Sequence, residues 1–243
     1  MYIGGGRLIK YNPWTGAVSG NYSISPLTTG TYYMNGYALS VQTISTGNYR
    51  LINWTTLGSS TTLSSRIVSN ISWPFSALPT AQYVSAVGVY VADFETGIAA
   101  FVSRTTDPVL GIYYRVNVTG ISLTTGSVLW EVSLEDEATY SASCIIADHG
   151  KVAFLTQKGY WLAYSLLSGK LAWKSEVMDY PWDGASFGAY AVQSAYGLLY
   201  REAYSGVYAF DWDDGSIVWK YKAPTSYAYE TPYVDENGVG VYS

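Results

Sequence analysis

The loop at residues 178–188 combines side chains that could bind a small polar ligand. Its chemistry-bearing residues are Asp179, Tyr180, Trp182 and Asp183. The following predicted strand adds Arg201, Glu202 and Tyr204. Binding residues collect on loops held by a rigid scaffold, where rings stack on sugars and carboxylates accept hydrogen bonds from hydroxyls. We therefore predict a sugar or small-ligand pocket here, with an ordered loop capped by its own rings as the alternative.

Enzymatic chemistry has weaker support in the sequence. Asp179 and Asp183 could serve as the two carboxyl groups of a glycoside-active enzyme. The acids around Asp211, Asp213 and Gly215 resemble a calcium loop, but no Glu follows at the EF-hand position, and Asp and Gly are ordinary turn residues. We interpret that segment as a turn and assign no catalytic or metal-binding residue.

The single histidine and the single cysteine exclude several kinds of site. One His rules out a His-based metal cluster within the chain, and one Cys rules out an intrachain disulfide. His149 lies in a predicted turn at residues 147–150, where an exposed side chain is expected. Cys144 lies in the apolar run 143–147, which favours a buried structural thiol over a reactive one.

Three segments of the chain repeat one another without gaps, at residues 120–130, 163–173 and 209–219. Each predicts a strand, a polar turn closing on Gly, and a second strand with Trp four residues after that Gly. The repeated pairs are Gly126 and Trp130, Gly169 and Trp173, and Gly215 and Trp219. Their spacing matches a four-stranded propeller blade. We expect each Gly to adopt positive φ and each Trp to pack between neighbouring blades.

The pattern Ala-aromatic-Asp-x-x-x-Gly-x-x-x-Trp at 209–219 resembles the PQQ-type repeat of the quinoprotein alcohol dehydrogenase-like superfamily. The resemblance implies an all-β fold: a β-propeller of four-stranded antiparallel blades, about four to five in this chain. It extends over residues 110–223, less closely over 1–60, and poorly over 61–109. Relatives of this type hold PQQ over Ca²⁺, often beside a vicinal disulfide that one cysteine cannot supply, so the resemblance concerns the scaffold.

The predicted single domain divides into blades at residues 1–24 (completed by 229–243), 28–57, 83–134, 137–178 and 186–223. Residues 58–82 are rich in Ser, Thr and Pro, which predicts a long connection. Residues 1–24 supply only the last strands of a blade and 229–243 only the first. The ends could therefore close a five-bladed ring. The alternative is a fragment of a seven- or eight-bladed propeller, which the absence of a signal peptide and an end in mid-strand favour.

Charge is unevenly distributed along the chain. The net charge is −5, and all 18 acidic residues lie from Asp93 onward. This balance argues against a nucleic-acid partner, and no run reaches the length of a transmembrane helix. Four N-glycosylation sequons occur, at Asn21, Asn53, Asn70 and Asn117, which would mark surface positions in an exported protein and which composition alone could also produce.

Low charge, many tyrosines, the sequons and the lack of a catalytic motif favour a non-catalytic scaffold that binds protein or carbohydrate at the cell surface or outside the cell. That hypothesis requires no cofactor. The alternative is a fragment of a PQQ-dependent dehydrogenase, an oxidoreductase that would use PQQ with calcium.

Overall fold

The computed structural model describes residues 1–27, 32–75, 89–106, 109, 113–135, 145–156, 158–178, 192–203 and 206–222. Their strands form five antiparallel sheets, each a meander in chain order, and this confirms the predicted all-β propeller. Four sheets have four strands and the first has three. No helix in the described part of the chain is long and apolar enough to cross a membrane.

The first blade contains β1 (Tyr2–Gly4), β2 (Arg7–Tyr11) and β3 (Val18–Ser23). The second contains β4 (Tyr32–Met34), β5 (Tyr37–Ser45), β6 (Asn48–Thr55) and β7 (Ile67–Ser72), with a 3-10 turn at Ser64–Arg66. The third contains β8 (Val89–Asp93), β9 (Ile98–Thr106), β10 (Tyr113–Ser122) and β11 (Val128–Glu135). The fourth contains β12 (Ile145–Asp148), β13 (Lys151–Leu155), β14 (Trp161–Ser165) and β15 (Leu171–Lys174). The fifth contains β16 (Val192–Ala195), β17 (Leu198–Ala203), β18 (Gly206–Asp211) and β19 (Ile217–Lys222).

The second blade differs from its sequence-based boundary of 28–57. Strand β7 lies within residues 58–82, the stretch expected to be a connection, and pairs with β6 to complete the sheet. Its sequence, Ile-Val-Ser-Asn-Ile-Ser, alternates between outward and inward side chains, but only Ile71 is buried. A mostly exposed outer strand can be polar, so its composition resembled that of a loop. Residues 229–243, predicted to complete the first blade, lie outside the described residues.

Tight hairpins join the two inner strands of three blades. Asn35, His149 and Tyr196 have φ of 50°, 51° and 54°, and each is followed by a positive-φ Gly. Two successive positive φ values define the type I′ turn, whose twist matches that of the flanking strands. The prediction that His149 lies in a turn is confirmed.

The outer hairpins share a second kind of turn. Gly126, Gly169 and Gly215 have φ of 76°, 67° and 76°, as the repeat predicted. In each case the Gly N–H donates to the carbonyl four residues earlier. The pairing of the two strands shifts register shortly before each turn. Because alternate strands of a meander run in the same direction, the inner and outer hairpin turns lie at the same end of the blades. We call this end the turn face.

Apolar side chains from neighbouring blades form the core. The largest cluster joins the second, third and fourth blades, and a second cluster joins the fourth and fifth. The hydroxyl of Tyr90 donates to the Leu39 carbonyl, and that of Tyr32 donates to the Ala147 carbonyl. Burial raises the pKa of both tyrosines far above the ordinary value, so both stay protonated donors.

Candidate functional site

Tryptophan wedges connect the third, fourth and fifth blades at the turn face. The Trp130 ring covers Gly169, where an added Cβ would lie 2.7 Å from ring atom Cδ2, and its Nε1 donates to the Leu166 carbonyl at 2.6 Å. The Trp173 ring covers Gly215 in the same way, and its Nε1 donates to the Trp212 carbonyl at 2.8 Å. Only glycine fits beneath either ring, which explains the spacing of the repeat.

Carboxylates reinforce the same two interfaces. One oxygen of Asp93 accepts from the backbone N–H groups of its own turn, and the other accepts from the Gly150 N–H of the next blade at 2.6 Å. Asp148 accepts from the Ser194 hydroxyl across the next interface. That hydroxyl in turn accepts from Nε1 of Trp212, at 2.9 Å. The fixed blades hold the turns of this face in defined positions.

Within the outer turns, successive residues point in opposite directions. The second turn residue packs inward: Leu123, Leu166 and Trp212 are 2 %, 0 % and 1 % exposed. The third points away from the protein, and Leu167 is 73 % exposed. The first blade has a turn of the same kind, capped by Asn12, whose third residue, Trp14, is 92 % exposed.

Four large apolar side chains are therefore presented on the turn face by four different blades. They are Trp14, Leu57, Leu167 and Tyr196. Tyr196 is 97 % exposed at the tip of its inner hairpin. Exposed apolar groups on ordered turns are typical of protein-binding surfaces. These four residues were not predicted from the sequence; the third position of the Gly-closed outer turns marks Trp14 and Leu167 but neither Leu57 nor Tyr196.

The charge of this face changes from one side to the other. The third-position residues are Trp14 in the first blade, Glu95 and Thr124 in the third, Leu167 in the fourth and Asp213 in the fifth. The described residues of the first and second blades include no acidic side chain, and Lys10 lies at the turn face, where its Nζ donates to the Gly58 carbonyl at 2.8 Å. Burial and the neighbouring Arg66 lower the pKa of Lys10. A protein bound to the turn face would therefore contact apolar and basic groups on the first two blades and acidic groups on the third and fifth.

A cleft lies between the first and second blades. It has a volume of about 430 Å³ and is lined by Ser23, Ser25, Thr61, Thr62, Leu63, Ser64 and Ile67. Next to it in sequence, the buried Arg66 donates from Nη1 to the carbonyls of Thr55 and Leu57 and stacks over the Tyr22 ring at 4.7 Å. The hydroxyl groups of this open cleft could hydrogen-bond a polar ligand.

Most of the predicted ligand pocket lies outside the described residues: Asp179, Tyr180, Trp182, Asp183 and Tyr204. Arg201 is 1 % exposed and Glu202 is exposed, because neighbouring residues of β17 point to opposite faces of the sheet. The structure does not bring these two side chains together. The pocket remains a prediction. Cys144 also lies outside the described residues.

The acidic segment at residues 211–215 forms a turn. The Asp211 carboxylate accepts from the Asp213 N–H at 2.7 Å, and Gly215 N–H donates to the Asp211 carbonyl. Hydrogen bonds from Ser216 lower the pKa of Asp214. No group of three or more His, Cys, Asp or Glu residues in the described ranges could hold a metal ion.

The four sequons differ in accessibility. Asn21 and Asn70 are exposed and Asn117 is partly exposed, whereas Asn53 is only 7 % exposed within β6. Asn53 is therefore not the surface position that its sequon suggested.

Comparison with known proteins gives a family relationship. The family model described as outer membrane protein assembly factor BamB matches residues 115–243, more than half of the chain. This match confirms the predicted PQQ-type repeat. No curated protein matches the sequence.

Solved propellers are similar at low identity. BamB from Moraxella catarrhalis is 14 % identical with a TM-score of 0.46, covering 79 % of this chain and 47 % of that one. This chain therefore spans about half the length of that protein. The computationally designed Ika4 protein is 11 % identical, with a TM-score of 0.40 and coverage of 64 % and 80 %. The designed Ika8 protein is 9 % identical, with a TM-score of 0.44 and coverage of 93 % and 74 %.

Proposed function

The chain belongs to the family of the outer membrane protein assembly factor BamB, and on that premise we propose that it is a non-catalytic scaffold whose turn face binds another protein. The observation that carries the proposal is the set of exposed apolar tips: Trp14, Leu57, Leu167 and Tyr196. Each tip stands on a turn with defined hydrogen bonds, so little conformational entropy is lost when a partner covers it.

The electrostatics of the turn face suggest how a partner would be oriented. Apolar and basic groups lie on the first two blades, and acidic turn residues lie on the third and fifth. A partner with an acidic segment next to a basic one would bind in a single orientation, because the reverse orientation brings like charges together. We propose a location in the periplasm or at the cell surface, and the description of the family as an outer membrane protein assembly factor supports it.

Carbohydrate is an alternative ligand. The hydroxyl-lined cleft near Arg66 and the predicted pocket at Asp179 and Asp183 are the features that favour it. A glycan array with the purified chain tests this alternative directly. Binding lost on Thr62→Val, with protein crosslinking retained, would assign the cleft to a glycan and the turn face to a protein.

The dehydrogenase alternative has its own test. Adding PQQ and Ca²⁺ to the purified chain and recording its absorption measures binding without any assay of activity. The scaffold proposal expects no saturable change, and stoichiometric binding would contradict it.

Site-specific photo-crosslinking in the native host tests the proposed face. A photo-reactive residue replaces Leu167 or Tyr196 on the turn face, and Ile44 or Val109 at the opposite end of the blades as matched exposed controls. We expect a discrete protein adduct from both turn-face positions and none from the controls. Equal adducts at both ends, or adducts from the controls alone, would refute docking on the turn face.

A further inference from the structure

Arg66 is a buried cation whose hydrogen-bonding capacity is only half used. The residue is 1 % exposed, and its Nη1 donates to the Thr55 and Leu57 carbonyls at 3.2 and 2.8 Å. Its Nε and Nη2 are buried without a hydrogen-bond partner among the described residues. These two nitrogens form one edge of the planar guanidinium, and two parallel N–H groups on one edge match the two oxygens of a carboxylate or phosphate. Arg66 therefore keeps available the edge that is best suited to an oxyanion.

A second cation lies close to Arg66. Nζ of Lys10 lies 5.7 Å from the centroid of the Tyr22 ring, and Cζ of Arg66 lies 4.7 Å from the same centroid. Burial and the charge of Arg66 lower the pKa of Lys10. Residues 1–92 of the sequence contain no Asp or Glu that could balance the pair. Burying a cation without a counter-charge is costly, so a bound anion would stabilise this part of the protein.

The hydroxyl-lined cleft between the first two blades adjoins Arg66 in the chain. Ser64 and Ile67, on either side of Arg66 in sequence, both line the cleft, and Ser23 lines it from the first blade. Its volume of about 430 Å³ is within the range of small-ligand sites. Hydroxyl groups donate and accept, so they can bind the hydroxyl groups of a ligand. The loop at residues 59–62 is exposed along its length, and a shift of this loop would let a ligand in the cleft reach Arg66.

We propose that this cleft binds a small hydroxylated oxyanion, that is, a carboxylate or phosphate carried on a sugar-like body. Nε and Nη2 of Arg66 donate to two oxygens of the anion, and Lys10 supplies a second positive charge nearby. The hydroxyl groups of the cleft bind the rest of the ligand. This site goes beyond protein docking on the turn face and does not depend on it.

Calorimetric titration of the full 243-residue chain tests the site with three probes of similar size. They are glucose 6-phosphate, glucuronate and the neutral sugar glucose, all at an ionic strength matched with sodium chloride so that charge screening is equal. We expect the anionic probes to bind saturably and glucose not to bind. Binding of one anion alone would support the site and identify its ligand as a sugar phosphate or a sugar acid. Equal binding of glucose, or no binding of either anion, would overturn the proposal.

Two arginine variants assign the contact. Arg66→Met keeps most of the side-chain volume and should weaken anion binding by at least roughly tenfold, because it removes both charged donors. Arg50→Met is the matched control from the same blade, since Nε of Arg50 already donates to Asn70 at 2.6 Å, and it should bind as wild type does. Equal losses in the two variants would overturn the assignment.

A spectroscopic measurement on the wild-type protein covers the case in which Arg66→Met does not fold. The NMR signal of the Arg66 Nε–H group should shift during the titration and saturate with the calorimetric curve. Saturable binding that leaves this signal unmoved would show that the anion binds elsewhere and would overturn the proposal.

Discussion

The first two blades and the last three are held together by different chemistry. The third, fourth and fifth blades use a repeated tryptophan on a glycine, reinforced by the carboxylates of Asp93 and Asp148. The first and second blades instead pack around the buried Arg66, which stacks on Tyr22 and caps two carbonyls. The family match begins at residue 115 and so covers the end of the third blade and both later blades.

Neighbouring blades of a single propeller can therefore be held together by different kinds of contact. The wedge needs a Trp on one blade and a Gly on the next, and the first blade has Gly20 at the Trp position. Without a wedge, a long cationic side chain fills the space, and its stem and planar head group pack against an aromatic ring. The described residues of the first two blades include no acidic side chain, so Arg66 has no carboxylate partner among them.

The largest expected effect is the loss of a wedge. Trp173→Ala should destabilise the protein by about 3–5 kcal/mol, because it removes a buried ring between two blades and leaves a cavity. Chemical denaturation measures the change. Leu129→Ala, on an exposed outer strand, is the control and should change stability by less than about 0.5 kcal/mol. A similar loss for both variants would mean that the wedges do not hold the blades.

Substitutions of Arg66 test how the first and second blades are held together. Arg66→Ala should cost about 2–4 kcal/mol, since it opens a cavity and leaves the Thr55 and Leu57 carbonyls without their donor. Arg66→Met, which fills the volume without burying a charge, should cost less. Chemical denaturation of both variants measures the two losses of stability. If Arg66→Met is the more destabilising, the guanidinium hydrogen bonds matter more than the packing.

The carboxylate contact at Asp93 should have an intermediate effect. Asp93→Ala removes the acceptor for Gly150 N–H and for two N–H groups of its own turn, and we expect a loss of about 1.5–3 kcal/mol. Glu131→Ala, at an exposed position of β11, is the control. Amide hydrogen exchange at Gly150 should accelerate in the first variant only, and unchanged exchange would remove Asp93 from the interface.

The smallest effect on stability is expected at the turn tips. Trp14→Ser should change the free energy of unfolding by no more than about 0.5 kcal/mol, because the ring is almost fully exposed. The same substitution should weaken crosslinking to the partner. A large loss of stability would show that Trp14 is packed in solution and does not serve as a docking group.

Most of the fold could be predicted from the repeats, because a tryptophan wedge requires fixed residue types at fixed spacing. The strands of the fourth and fifth blades were predictable from Gly169, Trp173 and Gly215 for that reason. Strand β7 was not, since an exposed outer strand imposes little on its composition. The interface around Arg66 was also missed, because no local sequence pattern encodes the contacts of its side chain with the Tyr22 ring and with the Thr55 and Leu57 carbonyls.

The candidate site was less predictable than the fold. Alternation along β17 separates Arg201 from Glu202, and sequence proximity had grouped them. The exposed tips were overlooked because a surface Leu or Trp is unremarkable until the structure shows several of them on one face.

The most direct test of turn-face docking compares two multiply substituted proteins in the native host. One carries Trp14→Ser, Leu57→Ser, Leu167→Ser and Tyr196→Ser on the turn face. The other carries Ile44→Ser and Val109→Ser at the opposite end. After in-cell crosslinking, the amount of partner recovered is measured against wild type at matched expression and unfolding temperature. We predict at least a roughly tenfold loss for the turn-face variant, equivalent to about 1.4 kcal/mol, and wild-type recovery for the other. Undiminished recovery with all four tips replaced would contradict docking on this face.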